Sequence, residues 1–471
     1  MVVSARLRVL NPIQIFALSF GCIIGSGWVV VLGEWLRACG PAGVALGMLA
    51  GGGVMLANSG AYAELIARFP VAGGEFTFVR NVFGDRAAFM VGWLWTLSLL
   101  AVVAFEATAL PWLLEALVPP LRGPVLYTSL NVPVSADALA IGLGGTIVIA
   151  VLNYRGIRSA ATLQSVLAIA FMGLAIVIVA AGIALGSWHN AEPLVSGAGG
   201  RPWWMGSLWI FAITPFFLNG FQSVAQTVEE RGTRVTFASI ARTMALAIAI
   251  AVGFYCLITF AAASASPWQS LIDRPLATAA AFEALLPGRV LVILVLTAAT
   301  LSVVRVWNGA AIWATRLLPA QARSGFLPAT IATVHPRTGA PVGAVMFVAI
   351  CNALGVLAGK GAIIPLVDMA SLCLACNLFL VCITALRARA AGTAAMPYRT
   401  PGGALTLSVA LAGSTAMAGF AVLDPLLSHR GRIPLEWLVT ALWSALGVGF
   451  WWGWARNHRR GGVRRTMEPS P

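Results

Sequence analysis

Apolar stretches of about 20 residues or more recur along this chain of 471 residues, and they restrict its fold more than any other feature. A helix needs about 20 consecutive apolar residues to cross the hydrocarbon core of a bilayer. Hydrophobic residues make up 59% of the sequence and charged residues 10%, whereas soluble domains carry roughly 25% charged residues. The pattern predicts an all-α polytopic membrane protein.

Twelve of these stretches are predicted to be transmembrane helices. They fall near residues 12–36, 41–67, 86–117, 137–153, 160–186, 203–228, 236–263, 288–318, 341–358, 362–387, 402–423 and 433–455. The net charge is +14, and most Lys and Arg residues fall on the side of the membrane that holds both termini. Because basic loops stay in the cytoplasm, we expect a multi-pass protein of the cell membrane, the cytoplasmic membrane of a bacterium, with both termini cytoplasmic.

The first span carries Gly25-Ser26-Gly27 in the middle of its apolar run. Each glycine costs helix stability relative to alanine, and irregular backbone at this depth survives only beside protein or a water-filled cavity. A break here would expose N–H groups that suit a carboxylate and carbonyls that suit an ammonium group or a metal cation. The alternative is that the glycines only allow close packing of neighbouring helices.

Span six carries a second interruption, at Pro215 and Asn219-Gly220. Proline removes a backbone hydrogen bond, and Asn-Gly is a strong turn pair. Breaks in spans one and six leave five spans per unit, so the two units run in opposite directions, which is typical of transporters with a site at the membrane midplane. The predicted units are 1–194 (spans 1–5), 195–395 (spans 6–10), 396–457 (spans 11 and 12) and 458–471 (a basic cytoplasmic tail).

Several short motifs occur in a specific order along the whole chain. They are Gly25-Ser26-Gly27, the stretch 64–76 after span two, Asn153-Tyr154-Arg155-Gly156, Glu229-Glu230, Ser324-Gly325-Phe326-Leu327-Pro328 and the stretch 397–402. This series resembles the amino acid–polyamine–organocation permease superfamily. The resemblance implies twelve transmembrane helices with an inverted five-helix repeat (LeuT-like fold), broken helices 1 and 6, and a substrate between spans one, three, six, eight and ten. It also implies secondary transport by proton symport or exchange, without sodium.

The resemblance assigns residues to the substrate site. The Ser26 and Gly27 N–H groups would bind the substrate carboxylate, beside Gly25 and Gly220 at the two breaks. The carbonyls that would take its amino group belong to Cys22, Ile23, Phe216 and Asn219. Phe216 or Phe217 would be an aromatic gate over the substrate, and helix packing is the alternative role for each phenylalanine.

Two charged residues lie deep in apolar spans, where a charge is costly and usually faces a cavity or a partner. Glu106 in span three is a candidate contact for the substrate's amine or side chain, or a proton carrier; the alternative is a structural carboxyl. Arg305 in span eight lies where sodium-coupled relatives of the fold hold sodium, and could replace that cation. Its alternative is a structural ion pair with Glu106 or Asp368.

The predicted function is that of an amino acid permease. A polyamine or amino-alcohol permease remains open, although such substrates would leave the carboxylate-binding N–H groups unfilled. A non-transporting amino acid sensor is a further alternative. An enzyme is not predicted, because neither a nucleophile with its base nor an intramembrane metal cluster is visible. The expected partners are an amino acid or amine substrate, protons and the lipid bilayer; no catalytic residue, cofactor, metal or nucleic acid is expected.

Overall fold

The structure is a computed structural model. It describes residues 12–71, 73–121, 123–155, 157–197, 200–228, 232, 235–286, 288–391, 397–428 and 434–465. Gly156, Glu229, Glu230 and the last residues of the predicted basic tail lie outside the described residues, as do the first eleven residues.

Apolar helices make up almost all of the described chain. They are α1 (Pro12–Gly21), α2 (Gly27–Val30), α3 (Leu32–Arg68), α4 (Gly74–Phe83), α5 (Asp85–Leu117), α6 (Ala136–Arg155), α7 (Ile157–Leu185), α8 (Trp203–Phe217), α9 (Ser223–Thr227), α10 (Phe237–Ala265), α11 (Ala277–Glu283), α12 (Val290–Arg323), α13 (Val342–Ala358), α14 (Ile363–Ala390), α15 (Gly403–Ser428) and α16 (Leu435–Arg465).

Among the described residues, nine helices are long and apolar enough to cross a membrane, and α8 and α13 are shorter apolar helices. The chain is therefore an all-α polytopic membrane protein, as its composition predicts. Predicted span one corresponds to α1, α2 and the start of α3, and span six to α8 and α9. The count of twelve spans and the inverted repeat stay predictions.

The connection expected between spans one and two is a kink. Helix α3 continues through it, with a non-helical backbone at Gly40 (φ 69°, ψ 172°) just before Pro41. A positive φ is readily available to glycine. A side chain at Gly40 would also bring its Cβ to 3.0 Å from the Leu194 carbonyl oxygen. The change of direction therefore depends on this glycine.

The connection between spans three and four contains a β-hairpin that the sequence pattern did not predict. Strand β1 (Val125–Ser129) pairs antiparallel with β2 (Val132–Ser135). Leu130 and Asn131 form the turn, with φ of 49° and 63°. Two-residue hairpins of this kind usually carry Asn-Gly or Asp-Gly. Because a leucine stands in the first turn position here, the sequence does not indicate the turn.

The core of the bundle packs α5 against α12 and α14, and α3 against α8 and α10. Helix α16 is much less enclosed than these helices, because only 6% of its most apolar 18-residue segment is buried. Trp93 of α5 and Trp443 of α16 join it to the bundle, because their rings stack at 4.2 Å and each indole N–H donates to the other residue's carbonyl.

A carboxyl is buried in the connection between the second and third predicted spans. Glu75 lies in the first turn of α4, and its Oε2 accepts a hydrogen bond from Gln226 Nε2 at 3.3 Å. Burial raises the pKa of this carboxyl from 4.5 to about 7. In the unfolded chain Glu75 ionises at lower pH than in the folded protein, so ionisation favours unfolding as the pH rises between these values.

We expect Glu75→Gln to remove this pH dependence. The wild-type protein should lose about 3 kcal/mol of stability between pH 4.5 and 7, since one pKa unit corresponds to about 1.4 kcal/mol. Thermal unfolding of the purified protein at pH 5 and pH 8 measures the effect, with the exposed Glu34→Gln as the matched control. If wild-type protein and Glu75→Gln lose stability in parallel, the buried carboxyl is not the cause.

Candidate functional site

The first span is interrupted in the middle of the bundle. Helix α1 ends at Gly21, α2 begins at Gly27, and the residues between them are not helical. The first N–H groups of a helix have no partner within that helix. Residues 22–30 are all buried, so these groups need partners from other helices. The interruption lies where the two glycines predicted it.

The second interruption lies between Phe217 and Ser223. Pro215 remains inside α8, and the helix ends only after it. Gln222 ties the irregular segment together: its Oε1 accepts the Gly220 N–H at 3.0 Å and its Nε2 donates to Asn219 Oδ1 at 2.8 Å. The irregular segment therefore contains the Asn219-Gly220 pair, whereas Pro215 lies within the preceding helix.

The two interruptions touch each other. Gly220 has a φ of 150°, and a Cβ on it would lie 2.7 Å from the Cys22 carbonyl carbon and 2.8 Å from the Ile23 nitrogen. Only a residue without a side chain allows this approach. The irregular backbones of spans one and six consequently form one continuous site.

Glu106 of α5 lies directly on the first break. Its carboxylate accepts the Ser26 N–H at 3.3 Å through Oε1 and the Ser26 hydroxyl at 2.7 Å through Oε2. A Cβ on Gly25 would lie 2.0 Å from Glu106 Oε1. The N–H group expected to bind a substrate carboxylate thus holds a carboxylate of the protein itself.

The predicted gate residues have different neighbours. Phe217 lies against Gly27, where a Cβ would be 2.3 Å from its Cε1, and packs edge-to-face on Trp35 with ring centroids 4.8 Å apart. Phe216 packs on Phe105 at 5.2 Å. Both phenylalanines are buried and line the same cavity.

This central cavity lies between the two breaks, α5, α10 and α12. It is lined by Cys22, Ile23, Gly25, Gly27, Val102, Phe105, Glu106, Phe216, Phe217, Asn219, Tyr255, Val306, Ala310 and Trp313. Its volume of about 10 Å³ is room for about one water molecule. A larger ligand therefore requires lining side chains to move.

The sequence motifs did not indicate that α10 and α12 contribute side chains to this cavity. Tyr255 of α10 donates its hydroxyl to the Phe217 carbonyl at 3.4 Å. Val306, Ala310 and Trp313 line the cavity from α12. Their spacing of four and three residues places them on one face of a helix, and this spacing was the signal available in the sequence.

Arg305 contacts the backbone carbonyls that are exposed at the first break. It is fully buried, and its Nη2 donates to the Ile24 carbonyl at 2.7 Å. The guanidinium lies over the ring of Phe171, 4.6 Å from the centroid. In the described part of the chain Arg305 forms no ion pair with Glu106 or Asp368, so the alternative expected for it is not found.

Two polar side chains outside the sequence motifs donate hydrogen bonds to backbone carbonyls at the same break. The Ser302 hydroxyl of α12 lies 2.6 Å from the Ile24 oxygen and 3.0 Å from the Gly25 oxygen. Gln164 of α7 donates through Nε2 to the Gly21 carbonyl at 2.9 Å. Spans five and eight therefore provide hydrogen-bond donors where the first half-helix ends.

These observations define a class: a polytopic helical membrane protein in which two interrupted helices meet at a buried central cavity. Within the described ranges, no group of three or more His, Cys, Asp and Glu residues could hold a metal ion.

The sequence matches the family described as amino acid permease over residues 10–442. It is similar to the branched-chain amino acid permease BcaP of Bacillus subtilis (strain 168), with 23% identity over 379 residues covering 78% of this chain and 77% of the relative. It is also similar to the methylthioribose transporter of the same organism (24% identity, 71% of each chain). A third relative is the vacuolar cationic amino acid transporter 2 of Arabidopsis thaliana (25% identity, 74% of this chain and 54% of the relative).

The chain belongs to the amino acid permease family. These relatives are permeases and transporters. The protein is accordingly a membrane transporter and not an enzyme.

Proposed function

We propose that the protein is a sodium-independent secondary transporter that moves amino acids across the cytoplasmic membrane by proton symport or exchange, with both termini in the cytoplasm. The observation that carries the proposal is the position of Glu106. Its carboxylate occupies the N–H and hydroxyl groups of Ser26, inside the cavity between the two broken helices.

A substrate carboxylate and the Glu106 carboxylate compete for the same donors. Two unit negative charges about 4 Å apart repel by about 4 kcal/mol at an effective dielectric of 20. Protonation of Glu106 removes this repulsion and frees the Ser26 N–H. An amino acid would therefore bind together with a proton, which is the link that proton symport requires.

The walls of the cavity suit the remainder of an amino acid. Carbonyls of residues at the breaks, including those of Cys22 and Asn219, would accept hydrogen bonds from its ammonium group. The side chains of Val102, Phe105 and Trp313 offer apolar surface to its side chain. Phe216 or Phe217 would have to move, because the cavity is too small for a substrate as it stands.

We expect Glu106→Gln to flatten the pH dependence of uptake, because glutamine keeps the shape of the side chain but cannot titrate. Uptake of radiolabelled amino acids into proteoliposomes between pH 5 and pH 8 measures this. Glu115→Gln, near the end of the same helix, is the matched control. Lost uptake with an unchanged pH profile would assign Glu106 to substrate contact alone, and wild-type behaviour would leave it a structural role.

A second candidate function is transport of a polyamine or an amino alcohol. The same contact favours it, because a substrate without a carboxylate would leave Glu106 in place on Ser26 as a counter-ion. Leucine and leucinol form a matched pair that differs in the carboxylate. Stronger competition of uptake by leucinol than by leucine would favour the amine permease, and saturable binding without any uptake would favour the sensor.

A further inference from the structure

Tyr255 of α10 lies between the two interrupted helices. Its side chain is fully buried, and its hydroxyl donates a hydrogen bond to the carbonyl of Phe217, the last residue of α8, at 3.4 Å. The Gly25 N–H, in the first interruption, is directed at the same hydroxyl. One oxygen atom therefore links the irregular backbone of span one to the end of the first half of span six.

The hydrogen bond from Tyr255 to Phe217 is easily exchanged for a stronger one. Its length of 3.4 Å exceeds the range of about 2.5–3.0 Å that is usual between a hydroxyl and an oxygen acceptor. A carboxylate is a better acceptor than a backbone carbonyl, since charge-assisted hydrogen bonds are shorter and about twice as strong. A tyrosine hydroxyl has a single proton to donate. It can therefore hold the carbonyl or a carboxylate, but not both.

Phe217 is one of the residues that fill the central site. Its ring packs on those of Trp35 and Tyr255, with centroids 4.8 and 6.0 Å away, and it lines a cavity of only about 10 Å³. The carbonyl that Tyr255 holds and the ring that fills the site belong to the same residue. Release of the carbonyl consequently loosens the end of α8 that carries this ring.

We propose that Tyr255 couples recognition of the substrate carboxylate to movement of Phe217. The carboxylate binds at Ser26 once Glu106 is protonated, and the Tyr255 hydroxyl, which lines the same cavity, turns from the Phe217 carbonyl to donate to it. The freed end of α8 then yields and makes room for the substrate. A ligand without a carboxylate leaves the hydroxyl on Phe217, so Tyr255 determines specificity. The carboxylate step rests on the proposed function, whereas the hold on Phe217 does not.

Tyr255→Phe removes the hydroxyl and keeps the aromatic ring. Hydrogen–deuterium exchange of the full-length protein in phosphatidylcholine nanodiscs, without substrate, should be at least about threefold faster at residues 216–222 in this variant, because exchange follows local opening. Tyr127→Phe is the matched control, since it removes a hydroxyl that donates to the Leu357 carbonyl from the β-hairpin. Exchange at residues 216–222 that stays as slow in Tyr255→Phe as in Tyr127→Phe would overturn the proposal.

Leucine and leucinol test the carboxylate step. Leucine should speed exchange at residues 216–222 in the wild-type protein and in Tyr127→Phe, but cause no further increase in Tyr255→Phe. Tyr255→Phe should weaken binding of leucine by about tenfold, as expected for loss of a hydrogen bond to a charged group, and leave binding of leucinol unchanged. Equal weakening of both ligands would assign Tyr255 to packing alone and overturn the proposal.

The exchange measurement without substrate keeps this inference separable from the proposed function. If the wild-type protein binds leucinol but not leucine, the proposed function and the carboxylate step are both refuted. Faster exchange at residues 216–222 in Tyr255→Phe would then still show that the hydroxyl holds Phe217. Leucine binding with unchanged exchange would have the opposite meaning: the proposed function would stand, and the role of Tyr255 would not.

Discussion

Replacing Gly27 with valine is expected to reduce amino acid uptake to less than a tenth of the wild-type rate while the protein remains folded. A Cβ at this position would lie 2.3 Å from Phe217 Cε1, well inside contact distance. Phe217 would be forced off Trp35 and into a central cavity that has almost no free volume. Overpacking of this kind costs about 1–3 kcal/mol, less than the stability of a typical protein.

Uptake into proteoliposomes measures the effect, and size-exclusion chromatography with thermal unfolding reports on folding. Gly173→Val is the matched control, because it makes the same change in the middle of α7, where no heavy atom lies within 4 Å. Gly27→Ala introduces the Cβ alone and tests the contact if the valine variant does not fold. A folded Gly27→Val protein with normal uptake would remove Gly27 from the substrate site.

The interruptions of the helices could be predicted because their signals are local. Two glycines one residue apart in an apolar run, and an Asn-Gly pair after a proline, disfavour a continuous helix whatever surrounds them. Glu106 and Arg305 could be selected for a similar reason, since a charge in an apolar span needs a partner or a cavity. The sequence did not contain the identity of those partners, which depends on how distant helices pack.

The aromatic and amide residues of the site were harder to predict. In a membrane protein the side chains that face lipid and those that face a cavity are equally apolar, so Tyr255 and Trp313 do not stand out. Gln164 reaches the Gly21 carbonyl from 143 residues further along the chain. The partner of Glu106 was missed because the N–H groups at the break were assigned to the substrate alone.

Uptake by the wild-type protein is expected to be the same when sodium is replaced by choline at fixed pH. The reason is the position of Arg305, whose Nη2 lies 2.7 Å from the Ile24 carbonyl at the break. Guanidinium keeps its positive charge even when it is buried. A sodium ion about 4 Å away would be repelled by about 4 kcal/mol at an effective dielectric of 20. The guanidinium of Arg305 therefore already compensates the partial negative charge of the carbonyls at the end of the first half-helix.

Arg305→Ala tests this cause directly. Without the guanidinium, Ser302 is the remaining α12 donor to the Ile24 carbonyl, and uptake should fall at least tenfold or become stimulated by sodium. Arg305→Lys keeps the charge and should stay indifferent to sodium. Arg289→Ala, which removes an exposed arginine where α12 begins, is the matched control. Strict sodium dependence of the wild-type protein would contradict the expectation, and an Arg305→Ala protein that behaves like Arg289→Ala in both salts would show that the charge of Arg305 does not replace a bound cation.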